Sequence, residues 1–305
     1  AVVFDAIRKA APKHLYIAAD GPRAHVASDA ENCDHVRNIV KTVDWECEVK
    51  YLFQESNLGC GLGPRAAFDW FFNQVSEGII LEDDCLPSPD FFLYCQLLLE
   101  KFRYNTQIFS INGCSLGYNL QHASSYTFSR FMNMWGWATW KRSYKEIDYS
   151  LNHWKSIRFK YLYLSSILSD NMFNLDVSWI EYWKRIFDKT VSLTETNLDS
   201  NSSVSWWDYQ WIYSQLKSKK LSVVPARNLV KNIGFNSCAT HTLHNDNPAA
   251  NLKLETLESP LVHPLSFNTD SVYDNIYVKN IWTNYTRLPL SFYIKRRISN
   301  FLGRA

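Results

Sequence analysis

The sequence predicts an α/β fold, a mixed sheet flanked by helices, and three observations carry that expectation. Short apolar runs alternate along the chain with segments of helical pattern. One of those runs, Gly78-Ile79-Ile80-Leu81, ends in three consecutive acids, Glu82-Asp83-Asp84. The acids lead directly into Pro87-Ser88-Pro89-Asp90-Phe91-Phe92, where Ser88 suits a helix N-cap and Pro89 the first turn. Strand, acidic tip, short loop and helix follow in that order. Open α/β sheets take ligands at the carboxyl ends of their strands. Three carboxylates crowded at one tip repel one another and need a cation or a set of donors. A divalent metal holding a diphosphate meets that need.

The elements run as follows. Residues 5–10 read as the end of a helix closed by Pro12, and residues 14–19 as a strand ending in the turn signature Asp20-Gly21-Pro22-Arg23. A domain of this kind that opens on a helix is expected to lack the strand before it. Residues 31–42 are predicted helical and 49–53 a strand. Residues 57–63 form a glycine-rich loop, with a helix expected over 65–75. Its glycines run G-x-G-x-G, which fails the dinucleotide fingerprint, although a bare helix N-terminus can hold a phosphate. The acid-tipped strand is 78–81, the next helix runs from 89 to about 102, and a strand at 107–111 ends in Asn112-Gly113. Further on, the expectations are a strand at 126–131, helices across 151–190 and over 206–216, and a strand at 221–224. From about residue 265 the periodicity is lost, and Leu288 to Arg304 alternates apolar and basic residues.

Of the 305 residues 46% are hydrophobic, ample for a core, and the length allows one large domain or two small ones. The chain is 15% aromatic, with Trp 12, Tyr 17 and Phe 18. Flat aromatic faces suit sugar rings, but filling a core is their commoner use. A formal charge of +2 predicts no nucleic-acid footprint. The 7 cysteines are scattered and odd in number, with no C-x-x-C pair. That pattern disfavours a zinc site or a disulfide scaffold and fits a reducing, cytoplasmic compartment. Sequons at Asn201 and Asn284 matter only to a secreted chain. No apolar run approaches the roughly 20 residues of a membrane span.

The acid triplet followed by Pro-x-Pro-Asp-Phe-Phe resembles the signature of GT-A-fold glycosyltransferases. It is similar to the N-acetylglucosaminyltransferase I type, where a Glu-Asp-Asp triplet precedes a Pro-Asp-Phe-Phe helix. Further segments follow in order: Ala19-Asp20-Gly21-Pro22-Arg23, Trp135-Gly136-Trp137-Ala138-Thr139-Trp140, Trp207-Asp208-Tyr209-Gln210-Trp211, Asn232-Ile233-Gly234-Phe235 and Ala239-Thr240-His241-Thr242. The set, spanning residues 5–245, resembles bacterial nucleotide-diphospho-sugar transferases of surface-polysaccharide synthesis. The resemblance implies a GT-A (Rossmann-like) mixed sheet over residues 1–265, lacking its first strand. It divides into a nucleotide-binding half, about 1–115, and an acceptor half, about 116–265, with a basic, apolar tail at 266–305. The family's first strand and the loop after it usually hold part of the nucleotide, so their absence is a departure that bears on donor affinity.

The roles implied are these. Asp84 is the ligand of Mn²⁺ (or Mg²⁺), Asp83 contacts ribose or metal-bound water, and Glu82 the donor sugar. Asp20 bonds the uracil edge or ribose; read alone it is an Asp-Gly turn. Arg65 faces the diphosphate, and its plain alternative is a solvated surface arginine. His241 is a second metal or phosphate contact. Asp208 is the catalytic base, although Ser205-x-x-Asp208 also has capping-box spacing. Trp207, Trp211 and Leu216 approximate the buried stripe of that helix, with Asp208 at its border. Asp176 and Glu181 are reserve candidates for the base. The 135–140 block is either core or a sugar platform, with Trp137 expected to be the tryptophan left exposed.

The function expected is metal-dependent transfer of a sugar from a UDP-sugar to a hydroxyl of a glycan or lipid-linked acceptor, with inversion, in bacterial surface-polysaccharide synthesis. The tail would allow peripheral contact with the inner face of the cytoplasmic membrane. Two alternatives stand beside it: a metal-dependent phosphoester hydrolase, and an inactive carbohydrate-binding protein on a transferase fold.

Overall fold

The computed structural model describes residues 2–120, 123–168, 177–196, 207–235 and 251–281. Among them the chain begins α1 (Val2–Ala10), β1 (His14–Ala19), α2 (Asp29–Val40), β2 (Glu48–Phe53), α3 (Gly59–Gln74) and β3 (Glu77–Ile80). It continues through β4 (Cys85–Pro87), α4 (Pro89–Lys101), β5 (Ile108–Asn112), β6 (Tyr126–Ser129), β7 (Trp137–Trp140) and α5 (Lys141–Tyr144). There follow α6 (Asn152–Ser156), α7 (Lys160–Leu168), α8 (Val177–Thr196), α9 (Asp208–Ser218), β8 (Leu221–Pro225), β9 (Val230–Asn232) and α10 (Ser271–Ile281). The architecture is mixed α/β.

The main sheet has five strands in the order β3-β7-β5-β8-β6. β3 and β5 both run antiparallel to β7, and β8 runs parallel to β5. The carboxyl ends of β3, β5 and β8 therefore lie along one side of the sheet. Side chains alternate across it. Trp137 and Val224 face a large core with α3, α8 and α9, whereas Ala138 and Val223 face a second core with α4. Much of the aromatic content fills these cores: Trp137, Trp154, Trp183 and Trp211 are all fully buried. Trp137, expected to be exposed, is instead the centre of a ring cluster with Phe68, Trp207 and Trp211. A strand in mid-sheet buries both faces, and the sequence pattern of three tryptophans did not show that residues 137–140 form one.

β1 and β2 make a separate parallel pair. Among the described residues β1 pairs only with β2, and β3 only with β7, so each has an edge without a strand partner. Phe71 of α3 lies between them, edge-on to Tyr16 of β1 at 5.1 Å and against the bare backbone of Gly78 in β3.

The separation expected at residue 265 is not seen. Tyr273, Tyr277 and Val278 of α10 belong to the large core. The Asp270 amide donates to the Phe128 carbonyl at 2.7 Å. Asp274 accepts from Ser129 Oγ at 2.6 Å and Arg130 Nε at 2.7 Å. Desolvation still outweighs the Arg130 charge and pushes the Asp274 carboxyl up to about 6. An i, i+4 spacing of two tyrosines is too short a signal to reveal this helix from sequence. No helix among the described residues is long and apolar enough to cross a membrane. The basic stretch from Leu288 onward, Asn201 and Asn284 lie outside the described residues.

Candidate functional site

β3 delivers the acids to the edge of the main sheet. After Leu81 the chain turns, with the Cys85 amide donating to the Glu82 carbonyl at 3.1 Å, and enters β4. β4 pairs antiparallel with β9. Ser88, extended at ψ 160°, stands at the N-cap of α4 with Pro89 the first helical residue, as the sequence predicts, but its hydroxyl makes no capping hydrogen bond among the described residues. The acid triplet is thus a tight turn pinned on both sides.

β9 fixes Asp84. The Ile233 amide donates to the Asp84 carbonyl at 2.8 Å, and Asn232 Nδ2 donates to Asp84 Oδ2 at 3.1 Å. Asn232 Oδ1 in turn accepts the Gly234 amide at 2.7 Å. A Cβ on Gly234 would stand 2.5 Å from Asp84 Oδ2, so the segment runs against the carboxylate only because residue 234 has no side chain. The other oxygen, Oδ1, takes a weak bond from Cys85 Sγ at 3.4 Å. Each carboxylate oxygen keeps a lone pair beyond these partners. Asp84 is half-buried, and burial followed by the Asp83 charge raises its carboxyl against the pull of Cys85 and Asn232.

Glu82 and Asp83 are exposed and make no side-chain hydrogen bond or ion pair among the described residues. Glu82 is nevertheless pushed up to about 8, first by the protein mass around it and then by the charges of Asp84, Asp208 and Asp83. Protein therefore surrounds this carboxyl closely although solvent still reaches it. Among the described residues the charges acting on it are negative.

Asp208 acts on Glu82 from α9. It is the first residue of that helix, and its Oδ1 accepts the Tyr209 amide at 3.0 Å. Trp207, Trp211 and Leu216 are buried as expected, with Asp208 at the edge of that stripe. The N-cap is Trp207, without a side-chain cap, and Ser205, the other half of the capping-box spacing, lies outside the described residues. A residue not singled out from the sequence marks the meeting point. The thiol of Cys60, in the first turn of α3, is raised by burial and then by the charges of Asp208, Glu82 and Asp20. Three separate stretches of chain therefore bring carboxylates around the start of α3. No pattern in the sequence connects Cys60 with them.

Asp20 is engaged within the protein. Its carboxylate accepts the amides of Gly21 at 2.9 Å, Leu58 at 2.8 Å and Gly59 at 2.9 Å, and Asn57 Nδ2 at 3.0 Å. Four donors fill its acceptor capacity. It caps α3 from another strand, which accounts for that helix beginning at Gly59 rather than near Arg65. Gly59, Gly61 and Gly63 are poor helix formers, and the cap from β1 offsets that weakness. The N-terminus of α3 is occupied by this carboxylate rather than bare. Arg65 falls within the helix and lies over the Tyr149 ring, 4.7 Å from its centre. Its charge acts on Tyr144 and Tyr149. Glu181, a reserve candidate, accepts from the Tyr161 hydroxyl at 2.6 Å. His241 and Asp176 lie outside the described residues.

Among the described residues no three His, Cys, Asp or Glu side chains form a metal-holding group on their own. The arrangement offers a cation one tethered carboxylate, Asp84, with Glu82, Asp83 and Asp208 supplying negative field. No protein-family model matches the chain, and no curated protein is similar to it.

Proposed function

We propose that the chain is a GT-A-fold glycosyltransferase that moves a sugar from a UDP-sugar to a hydroxyl of a glycan or lipid-linked acceptor. The observation that carries this reading is the acid turn at the end of β3. Its carboxylates act on one another, Glu82 is desolvated, and among the described residues the charges acting on it are those of Asp84, Asp208 and Asp83. The ordered motifs of the sequence supply the family. The donor set fits a hard dication such as Mn²⁺ or Mg²⁺, which prefers oxygen ligands and leaves positions for a diphosphate. Asp84, oriented by Asn232 and Gly234, holds it, and His241 is a further candidate ligand. When bound, the ion supplies charge neutralisation for the departing diphosphate.

Asp208 accepts the proton of the attacking hydroxyl. It is carried by a separate helix, where its charge is felt at Glu82 and Cys60. A single base facing the leaving group implies inversion. Glu82 and Asp83 border the donor sugar and ribose. Asp20 acts one step back by fixing the start of α3, and Arg65 receives no role. The chemistry belongs in the cytoplasm, where free thiols persist, in keeping with six free cysteines among the described residues.

Calorimetry with UDP tests the assignment directly. Wild type is expected to bind UDP with Mn²⁺ and lose that binding with EDTA, while Asp84→Ala loses the metal-dependent part. Equal binding by the variant removes Asp84 as the ligand. Absence of any nucleoside-diphosphate binding by wild type removes the transferase reading.

A further inference from the structure

Three tryptophans stand within six residues, and the structure treats them differently. Trp137 and Trp140 are buried, whereas Trp135 is only half-buried. Trp135 is also the residue of the three that sits beside the acids. Its neighbour Gly136, at φ 67°, packs so closely on Leu81, the residue before Glu82, that a Cβ there would stand 3.2 Å from Leu81 Cδ2. Its indole meets Phe235 at right angles, with ring centres 5.5 Å apart. Phe235 follows Gly234, the residue pressed against the Asp84 carboxylate. Both arms of the acid turn therefore lead to the same aromatic corner.

That corner is held rigidly. Trp135 packs against both hydrophobic cores, and its amide donates to Asn133 Oδ1 at 2.9 Å. A large ring fixed in place with part of its surface open loses little freedom when a ligand covers it. The matching ligand has an apolar face of C–H groups and a polar rim, which describes a pyranose ring.

We infer that Trp135 and Phe235 form the platform on which a sugar ring stacks beside the acid turn. This rests on the transferase reading for its place in the reaction, but not for its existence. Two sources of the ring share this chemistry: the sugar of the nucleotide donor and the sugar of a glycan acceptor.

The test compares wild type, Trp135→Leu and Trp135→Phe. Leucine keeps apolar volume without an aromatic face, and phenylalanine restores the face. UDP, UDP-glucose and UDP-N-acetylglucosamine are titrated calorimetrically with Mn²⁺. Methyl β-glucoside is followed by saturation-transfer NMR with Mg²⁺. Trp135→Leu is expected to bind UDP within twofold of wild type and to weaken a sugar-bearing ligand about tenfold, with Trp135→Phe recovering most of the loss. Loss confined to the nucleotide sugars identifies the donor ring, and loss confined to the glucoside identifies an acceptor ring. Unchanged sugar binding in Trp135→Leu, with wild-type UDP affinity, overturns the platform. So does equal loss of UDP and UDP-sugar, which indicates a structural effect. If wild type fails to bind UDP but a Trp135-dependent glucoside signal persists, the platform stands and the transferase reading falls.

Discussion

Replacing Gly234 by alanine is the sharpest perturbation of the acid turn, because it changes no charge and removes no donor. Gly234 needs no left-handed backbone, so alanine can adopt its conformation and the effect is steric. The added Cβ would stand 2.5 Å from Asp84 Oδ2 and 3.1 Å from both Asp84 Cβ and Asn232 Oδ1. An ordinary contact is about 3.5 Å, so the carboxylate must give way by about 1 Å. It has little room to do so, since the Asp84 carbonyl is tied to Ile233 and Oδ2 to Asn232. Misplacing a binding group by about 1 Å is worth ~10²-fold. Gly234→Ala is therefore expected to weaken Mn²⁺-dependent UDP binding about 100-fold, or about 2.7 kcal/mol. Overpacking of this kind destabilises by about 1–3 kcal/mol, small enough for the variant to stay folded at 25 °C. Calorimetry with and without EDTA gives the binding term, and a thermal melt gives the stability term. A folded Gly234→Ala protein that binds UDP and metal like wild type would show that Asp84 does not grip the ion. Equal loss with and without metal would refute the reasoning as well.

Asp208→Asn is expected to bind UDP normally while kcat falls by ~10²–10⁴, measured with an acceptor that supports turnover. Normal turnover would leave Asp208 as a helix-start residue only. Trp211→Ala empties a site lined by Phe68, Phe109, Trp137 and Tyr144 and should lower stability by about 3–5 kcal/mol in urea melts. A loss under about 1 kcal/mol would contradict its central place in the core. Asp274→Ala removes the buried carboxylate paired with the partly buried Arg130 and is expected to destabilise by about 3–5 kcal/mol. The pH dependence at Asp274 has a definite sign. Its carboxyl is raised from the ordinary value of 3.8 to about 6. Its favourable contribution is therefore full below the lower value and is lost as pH rises through the upper one. Wild type minus Asp274→Asn should show stability falling between these pH values, and a rising difference would reverse the assignment of burial as the larger effect.

The elements legible in the sequence were those whose cause is local. β1 was read at its exact bounds because an apolar run stops at an Asp-Gly-Pro turn, and α4 because Ser88-Pro89 opens it. The elements that escaped depend on partners far along the chain. Residues 230–232 become a strand only because residues 85–87 pair with them, and neither stretch is long enough to announce itself. α3 begins earlier than its glycines allow because Asp20, separated by a strand and a helix, caps it. The 137–140 segment carries an aromatic pattern that fits a surface platform or a core strand equally well until its place in mid-sheet decides.

The same distinction explains the site. Three adjacent acids are visible in any reading, since their mutual repulsion does not depend on the fold. What makes one of them different from its neighbours is not visible. Asp84 is singled out by Asn232 and Gly234, which lie almost half the chain away and act through one hydrogen bond and one missing Cβ. The resemblance gave Asp20 a ligand, whereas the residues read alone gave an Asp-Gly turn. Only the four amide donors around it reveal an internal cap. A carboxylate in an α/β site is thus open to a ligand to the extent that the protein has left its lone pairs unused. By that criterion, among the described residues, Glu82 and Asp83 are the most open of these acids, Asp84 is oriented but available, and Asp20 is engaged. If UDP binding proves to depend on Asp20 with α3 still correctly capped by another route, this ordering is wrong. An Asp20→Asn variant, with the helix start followed by amide exchange at Leu58 and Gly59, separates the two cases.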